Sequence, residues 1–267
     1  MSGADRQAPA RPRVAVVTGA SAGLGRALSV ALARRGLMIA GIAQRSEALE
    51  ETGRLCPPGR FSAVVGNVSD PARMRQAFAA IERDIGEIAI LFNNAAIYPR
   101  GDLLEGGLDG ALAALGVNLT GAMICAAEAL HHMVPRGCGR IVNVGSFAGE
   151  APLPGSLGYS VSKAGLRAFS RALAVETQDR LPGIVVSEWI PGVLATGMGR
   201  PDGLDPAQVA EWGAALALDR SPGLHAKTFV GDTEHLPPRS NRERVKDLLR
   251  GGRPAPRRLT PLPEASP

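Results

Sequence analysis

Apolar residues along this chain fall into two alternating rhythms. Short apolar, β-branched runs lie at 14–18, 37–43, 61–65, 88–93, 140–144, 184–189 and 227–230. Each is too short for a helix and continuous enough for a strand covered on both faces. Between them, the stretches 24–35, 71–85 and 157–177 place apolar residues three to four apart, which predicts helices. Seven strands alternating with helices predict βαβ units, hence an α/β fold: a doubly wound parallel sheet of about seven strands with helices on both faces. No repeat or linker breaks the pattern, so 14–236 reads as one domain. A flexible segment, 1–13, precedes it. A basic Pro/Arg-rich tail, 237–267, follows and is expected to be partly disordered, with a short helix at 241–249.

Composition narrows the class. With 45% hydrophobic and 21% charged residues the chain buries a sizeable core and is neither disordered nor fibrous. No run of about 18 apolar residues occurs, so no membrane-spanning helix is expected, and 1–13 lacks the apolar centre of a secretory signal. The cysteines Cys56, Cys125 and Cys138 form no C-x-x-C pair and read as buried, reduced thiols of a cytoplasmic protein. The net charge of +5 lies wholly in the tail: residues 239–267 hold eight basic and three acidic residues, leaving 22 of each before them. The domain has no excess positive charge for a phosphate backbone, and no nucleic-acid partner is expected.

Candidate chemistry sits at the ends of the predicted strands. After the first comes Thr18-Gly19-Ala20-Ser21-Ala22-Gly23-Leu24-Gly25, running into a helix. Glycines at such a turn allow close approach of a pyrophosphate, and the helix N-terminus offers it unpaired N–H groups. This predicts a Rossmann-type dinucleotide site, with Gly19, Ser21, Gly23, Leu24 and Gly25 as cofactor-binding positions. At the end of the second strand, Gln44-Arg45-Ser46 carries no acid to accept from a ribose 2′-hydroxyl. Arg45 offers a donor fork for a 2′-phosphate and Ser46 a hydroxyl, so NADP(H) is expected over NAD.

Tyr159 and Lys163 stand four apart at the start of a predicted helix, one turn apart on one face. With two tyrosines and three lysines in the chain, chance would place such a pair about 0.02 times. A neighbouring cation is expected to lower the phenol toward the working range and make Tyr159 a general acid or base. Ser146 follows the fifth strand, where open α/β sheets place their ligands, and can hydrogen-bond a carbonyl oxygen.

Taken together these motifs resemble the short-chain dehydrogenase/reductase family over residues 14 to 231. Thr18–Gly25 matches its glycine pattern, Asn93-Asn94-Ala95-Ala96 its turn after the fourth strand, and Tyr159 with Lys163 its catalytic pair. The resemblance implies a tetrad of Asn118, Ser146, Tyr159 and Lys163, with Asn118 supporting a water that links Lys163 to solvent. It also implies cofactor contacts from Asn67 and Val68, Asn94 and Ala95, and Pro191, Gly192 and Thr196, with Lys163 on the nicotinamide ribose. Hydride would pass between nicotinamide and a carbonyl carbon, and the enzyme would be a homodimer or homotetramer without membrane or metal.

Three departures stand out: Asn67 for aspartate, Ala96 for glycine, and only eight residues between Thr196 and Asp205, where relatives carry a longer lid. The short lid predicts an open pocket for a bulky or carrier-bound substrate. Tyr98, Phe147 and Leu153 are expected near it, and Trp189 either there or in the core. His131 and His132 suit a helix C-terminus. Carbonyl reduction is the leading expectation. The alternatives are 3-oxoacyl-carrier-protein reduction and a non-catalytic cofactor-binding scaffold.

Overall fold

The apolar runs form the strands, and their order sets where the site lies. A computed structural model describes residues 11–219, 221–236 and 255–264. Strands β1 (Arg13–Thr18), β2 (Met38–Ala43), β3 (Phe61–Val65), β4 (Glu87–Asn93), β5 (Gly139–Val144), β6 (Ile184–Ile190) and β7 (Lys227–Val230) pair in parallel. The order is β3-β2-β1-β4-β5-β6-β7, closed by a short antiparallel β8 (Thr233–Glu234). This is the expected Rossmann-type sheet with one added edge strand. The crossover from β3 back to β4, beside β1, opens a crevice at the carboxyl ends of the central strands.

Helices α1 (Gly23–Ala33) and α7 (Pro206–Leu218) pack together on one face, over a core that includes Val17, Leu28, Phe92, Trp189 and Phe229. On the other face lie α3 (Pro71–Ala80), α5 (Gly121–Met133) and α6 (Leu157–Gln178), with Val16, Phe78, Ile141 and Leu173 between them and the sheet. Helix α2 (Ser46–Leu55) packs beside β3, and α4 (Leu108–Leu115) leads into α5 through a π-helical turn, Gly116–Thr120. Asp70 and Asp205 cap α3 and α7, each ahead of a proline in the first turn.

Three expectations change. The helical rod Leu108–Arg136 is long and apolar enough, by length and composition, to cross a membrane. No uninterrupted apolar run announces it, because glycines and polar residues punctuate it. It packs as a layer helix, with Ala122, Cys125, Ala126, Ala129 and Met133 buried on the sheet side. Cys138 is exposed rather than buried, since it sits in the turn before β5, whereas Cys56 and Cys125 are buried and all three are free.

The third change concerns the tail, where 241–249 lies outside the described residues. Residues 255–264 are docked against the domain. Leu259 is buried in the α1/α7 core and its N–H donates to the Asp232 carbonyl. Arg258 bridges to Thr233 on the edge strand, and Arg35 ties α1 to Glu211 of α7 and to the Leu262 carbonyl. Leu259, the Arg258 bridge and the Arg35–Leu262 hydrogen bond together hold a segment whose composition alone reads as disordered.

Candidate active site

The glycine loop connects β1 to α1 and is locked to the end of β4. Thr18 Oγ1 donates to the Phe92 carbonyl at 3.1 Å and accepts from the Asn94 and Ala95 N–H groups, each at 3.0 Å. Asn94 Nδ2 donates to the Thr18 carbonyl at 2.8 Å. Gly19 adopts φ +69°, and a Cβ there would stand 2.9 Å from Ala95 Cα. A Cβ on Gly25 would lie 2.2 Å from the Gly19 carbonyl oxygen. Helix α1 begins after Ala22 with no side-chain cap, so its first N–H groups are left for a ligand. Thr196 comes within 3.2 Å of where a Gly23 Cβ would be, placing the segment after Pro191 and Gly192 against the loop. The cradle thus fits a dinucleotide pyrophosphate. Arg45 and Ser46 are exposed where β2 gives way to α2; the first acid beyond them is Glu47, inside the helix. Asn67 is exposed and Val68 buried at the end of β3.

The second half of the site stands on β5 and α6. Tyr159 stacks on Tyr98, with ring centroids 4.4 Å apart, and Ser146 is near enough to its phenol to favour the charged form. Lys163 is 3% exposed. Its Nζ lies 5.6 Å from the Tyr159 ring centroid and donates to the Val144 carbonyl at 2.8 Å. Asn118, buried in the π turn, accepts from the Ile97 N–H at 2.8 Å; its Nδ2 donates to the Ile97 carbonyl and to Ser162 Oγ, each at 2.9 Å. It thereby fastens the 95–97 segment to α6. The structure therefore brings Asn118, Ser146, Tyr159 and Lys163 together beside the glycine loop.

Electrostatics depart from the sequence expectation. Burial raises the Tyr159 phenol above its ordinary value, the Ser146 hydroxyl opposes this, and Tyr98 adds to the rise. Burial pushes Lys163 down to about 8, against the pull of Glu188. The expected lowering of the phenol by Lys163 is thus absent in the ligand-free chain. Desolvation is the largest cause for both groups, and the ammonium is directed at a carbonyl rather than at the phenol oxygen.

An open cleft of about 510 Å³ lies beside this centre, bounded by Ala96, Ile97, Tyr98, Pro99, Arg100, Gly197, Met198 and Gly199. The short lid folds on itself: Leu194 bridges Leu204, and the Arg200 N–H donates to the Leu194 carbonyl. Tyr98 lines the cleft with the Arg100 guanidinium 5.2 Å from its ring centroid. Phe147 and Leu153 are exposed on the segment after β5 but do not bound this cleft, and Trp189 is fully buried core. Reasoning from sequence missed Glu188 and Arg167, paired at 3.3 Å. A glutamate within the apolar run of β6 was the available signal.

Known proteins resemble this chain in sequence and fold. The family model for short chain dehydrogenase matches residues 13–206. Carbonyl reductase family member 4 of Danio rerio is 33% identical over 231 residues, covering 82% of this chain and 96% of that protein. The 3-oxoacyl-[acyl-carrier-protein] reductase of Escherichia coli (strain K12) is 33% identical over 219 residues, covering 82% and 83%. A crystal structure of a putative gluconate dehydrogenase from Agrobacterium tumefaciens superposes with a TM-score of 0.74 at 27% identity, covering 82% of this chain and 93% of that one. With a parallel sheet, a glycine cradle and a Ser-Tyr-Lys centre at one crevice, the chain belongs to the short-chain dehydrogenase/reductase family of oxidoreductases.

Proposed function

We propose that this protein is an NADP(H)-dependent carbonyl reductase. The observation that carries the reading is the meeting of Ser146, Tyr159 and Lys163 beside a glycine cradle that a single Cβ would fill. Arg45 at the tip of β2, with no acid before Glu47, supports a 2′-phosphorylated cofactor. When bound, the nicotinamide supplies the hydride.

The chain's own residues supply the rest. A phenol held above its ordinary value by burial is fully protonated at pH 7, and Tyr159 donates that proton to the carbonyl oxygen. Ser146 donates a hydrogen bond to the same oxygen as charge builds on it. Lys163, seated on the Val144 carbonyl, keeps further N–H groups that would hold the nicotinamide ribose. Asn118 holds the Ile97 segment against α6, and from there it would support a water that resupplies protons to Lys163.

Arg100 at the cleft mouth favours a second reading, an acyl group delivered on an anionic carrier. The relative named as a 3-oxoacyl-[acyl-carrier-protein] reductase accords with it. The exposed apolar residues Leu108 and Leu112 of α4, Met123 of α5 and Val161 of α6 suit burial against a second copy, and the protein is read as a cytoplasmic homo-oligomer. A monomeric mass by light scattering would contradict that.

The test is titration with NADPH and NADH by fluorescence, then a carbonyl and acetoacetyl-CoA panel followed at 340 nm. Micromolar NADPH binding, at least tenfold tighter than NADH and lost in Arg45→Glu, is expected. Tyr159→Phe should keep binding and lose turnover. Tight NADH binding overturns the Arg45 assignment, and binding of neither points to a scaffold.

A further inference from the structure

Behind the reacting groups lies a row of charges that the reaction as described does not use. Tyr159, Lys163 and Arg167 are spaced four apart and share one face of α6. Arg167 is 14% exposed and pairs with two carboxylates: Glu188, 4% exposed, at 3.3 Å, and Glu150 on the turn after β5. The Nε–Glu188 contact is an ion pair without hydrogen-bond geometry. Glu188 also accepts from Thr228 Oγ1 at 3.0 Å.

On the sheet, Glu188 lies opposite Asn143, the residue before Val144. Its Oε1 reaches within 2.6 Å of where a Gly145 Cβ would stand. The carboxylate therefore sits one peptide unit from the Val144 carbonyl that holds Lys163 Nζ. One guanidinium is shared between two carboxylates, so the row Glu150–Arg167–Glu188 carries one negative charge. It becomes neutral only with Lys163 protonated.

We propose that Glu188 is a positioning residue of the reaction, its buried carboxylate, braced by Arg167 and Thr228, keeping the Lys163 ammonium charged and seated on the Val144 carbonyl. The charged or titratable groups facing Lys163 are Glu188 from β6, with Tyr159 and Arg167 on its own helix; Glu150 acts only through Arg167. The π turn contributes the uncharged Asn118. Burial alone would make this lysine a neutral amine over part of the working range, and Glu188 is the group that opposes it. The inference rests on Lys163 having the role assigned to it above, but its test does not need turnover.

Only three lysines occur in the chain, Lys163, Lys227 and Lys246. Protein labelled with [13Cε]lysine gives three resonances, assigned by Lys227→Arg and Lys246→Arg, and the full chain is titrated without cofactor. The wild-type Lys163 midpoint is expected near 8. Glu188→Gln should lower it by about one pH unit, whereas Arg167→Gln should raise it and Glu188→Asp should leave it near the wild type. A loosened fold would hydrate the lysine and move both Gln variants upward. An unchanged or raised midpoint in Glu188→Gln overturns the proposal. If that variant fails to fold, Glu188→Met removes the carboxylate in favour of an apolar side chain and leaves Arg167 paired with Glu150. It too must lower the midpoint, and a midpoint at the wild-type value refutes the proposal.

Discussion

Replacing Lys163 by Met is expected to stabilise the ligand-free protein at pH 7 while abolishing turnover. The ammonium is 3% exposed, and burial pushes it from the ordinary 10.5 to about 8. Each tenfold loss of proton affinity corresponds to ~1.4 kcal/mol, so holding the charge inside costs about 3 kcal/mol at pH 7. Methionine has similar length and no charge; it forfeits the hydrogen bond to the Val144 carbonyl, about 1 kcal/mol. A net gain of about 2 kcal/mol corresponds to a rise in Tm of roughly 4–8 °C at this size. The lysine is protonated in the unfolded chain up to about 10.5 and in the folded chain only to about 8. The penalty is therefore complete below pH 8 and fades as pH rises to 10.5, where the variant should lose its advantage. Urea unfolding at pH 7 and pH 10 reads both. A variant no more stable than wild type at pH 7 would refute the reasoning, because it would mean that the buried ammonium carries no strain to relieve.

Two further perturbations probe the cradle and the tail. Gly25→Ala places a methyl group 2.2 Å from the Gly19 carbonyl oxygen and 2.6 Å from Asn94 Nδ2, so NADPH binding should weaken more than tenfold and stability fall by about 1–3 kcal/mol. Calorimetric titration and urea unfolding measure the two effects, and unchanged binding would show that the loop opens freely. Leu259→Ala removes the apolar anchor of the docked tail and should cost about 2 kcal/mol. A urea midpoint equal to wild type would mean that the tail contributes nothing to the fold.

Local pattern was enough for much of this protein. Short continuous apolar runs mark strands because the sheet is covered on both faces, and apolar residues three to four apart mark helices because helical side chains repeat each turn. The glycine loop was legible because glycine takes φ +69° at Gly19 without strain and alone fits a carbonyl 2.2 Å from the Cβ position at Gly25. Tyr159 and Lys163 were legible as a pair because four residues make one helical turn. The ends of elements shifted by a residue or two, and the π turn around Asn118 left no mark that a spacing rule reads.

What the chain alone determined, then, was its fold class, its glycine cradle and the phenol–ammonium pair, all of them consequences of neighbours within a few positions. Only the tertiary structure decided which distant residues meet. Strand order β4-β5-β6 sets Glu188 beside the Val144–Gly145 peptide, and the turn after β4 swings Tyr98 onto Tyr159. Burial then reversed the simplest electrostatic expectation, because the cost of removing a phenolate and an ammonium from water depends on what covers them, and no local sequence window contains that.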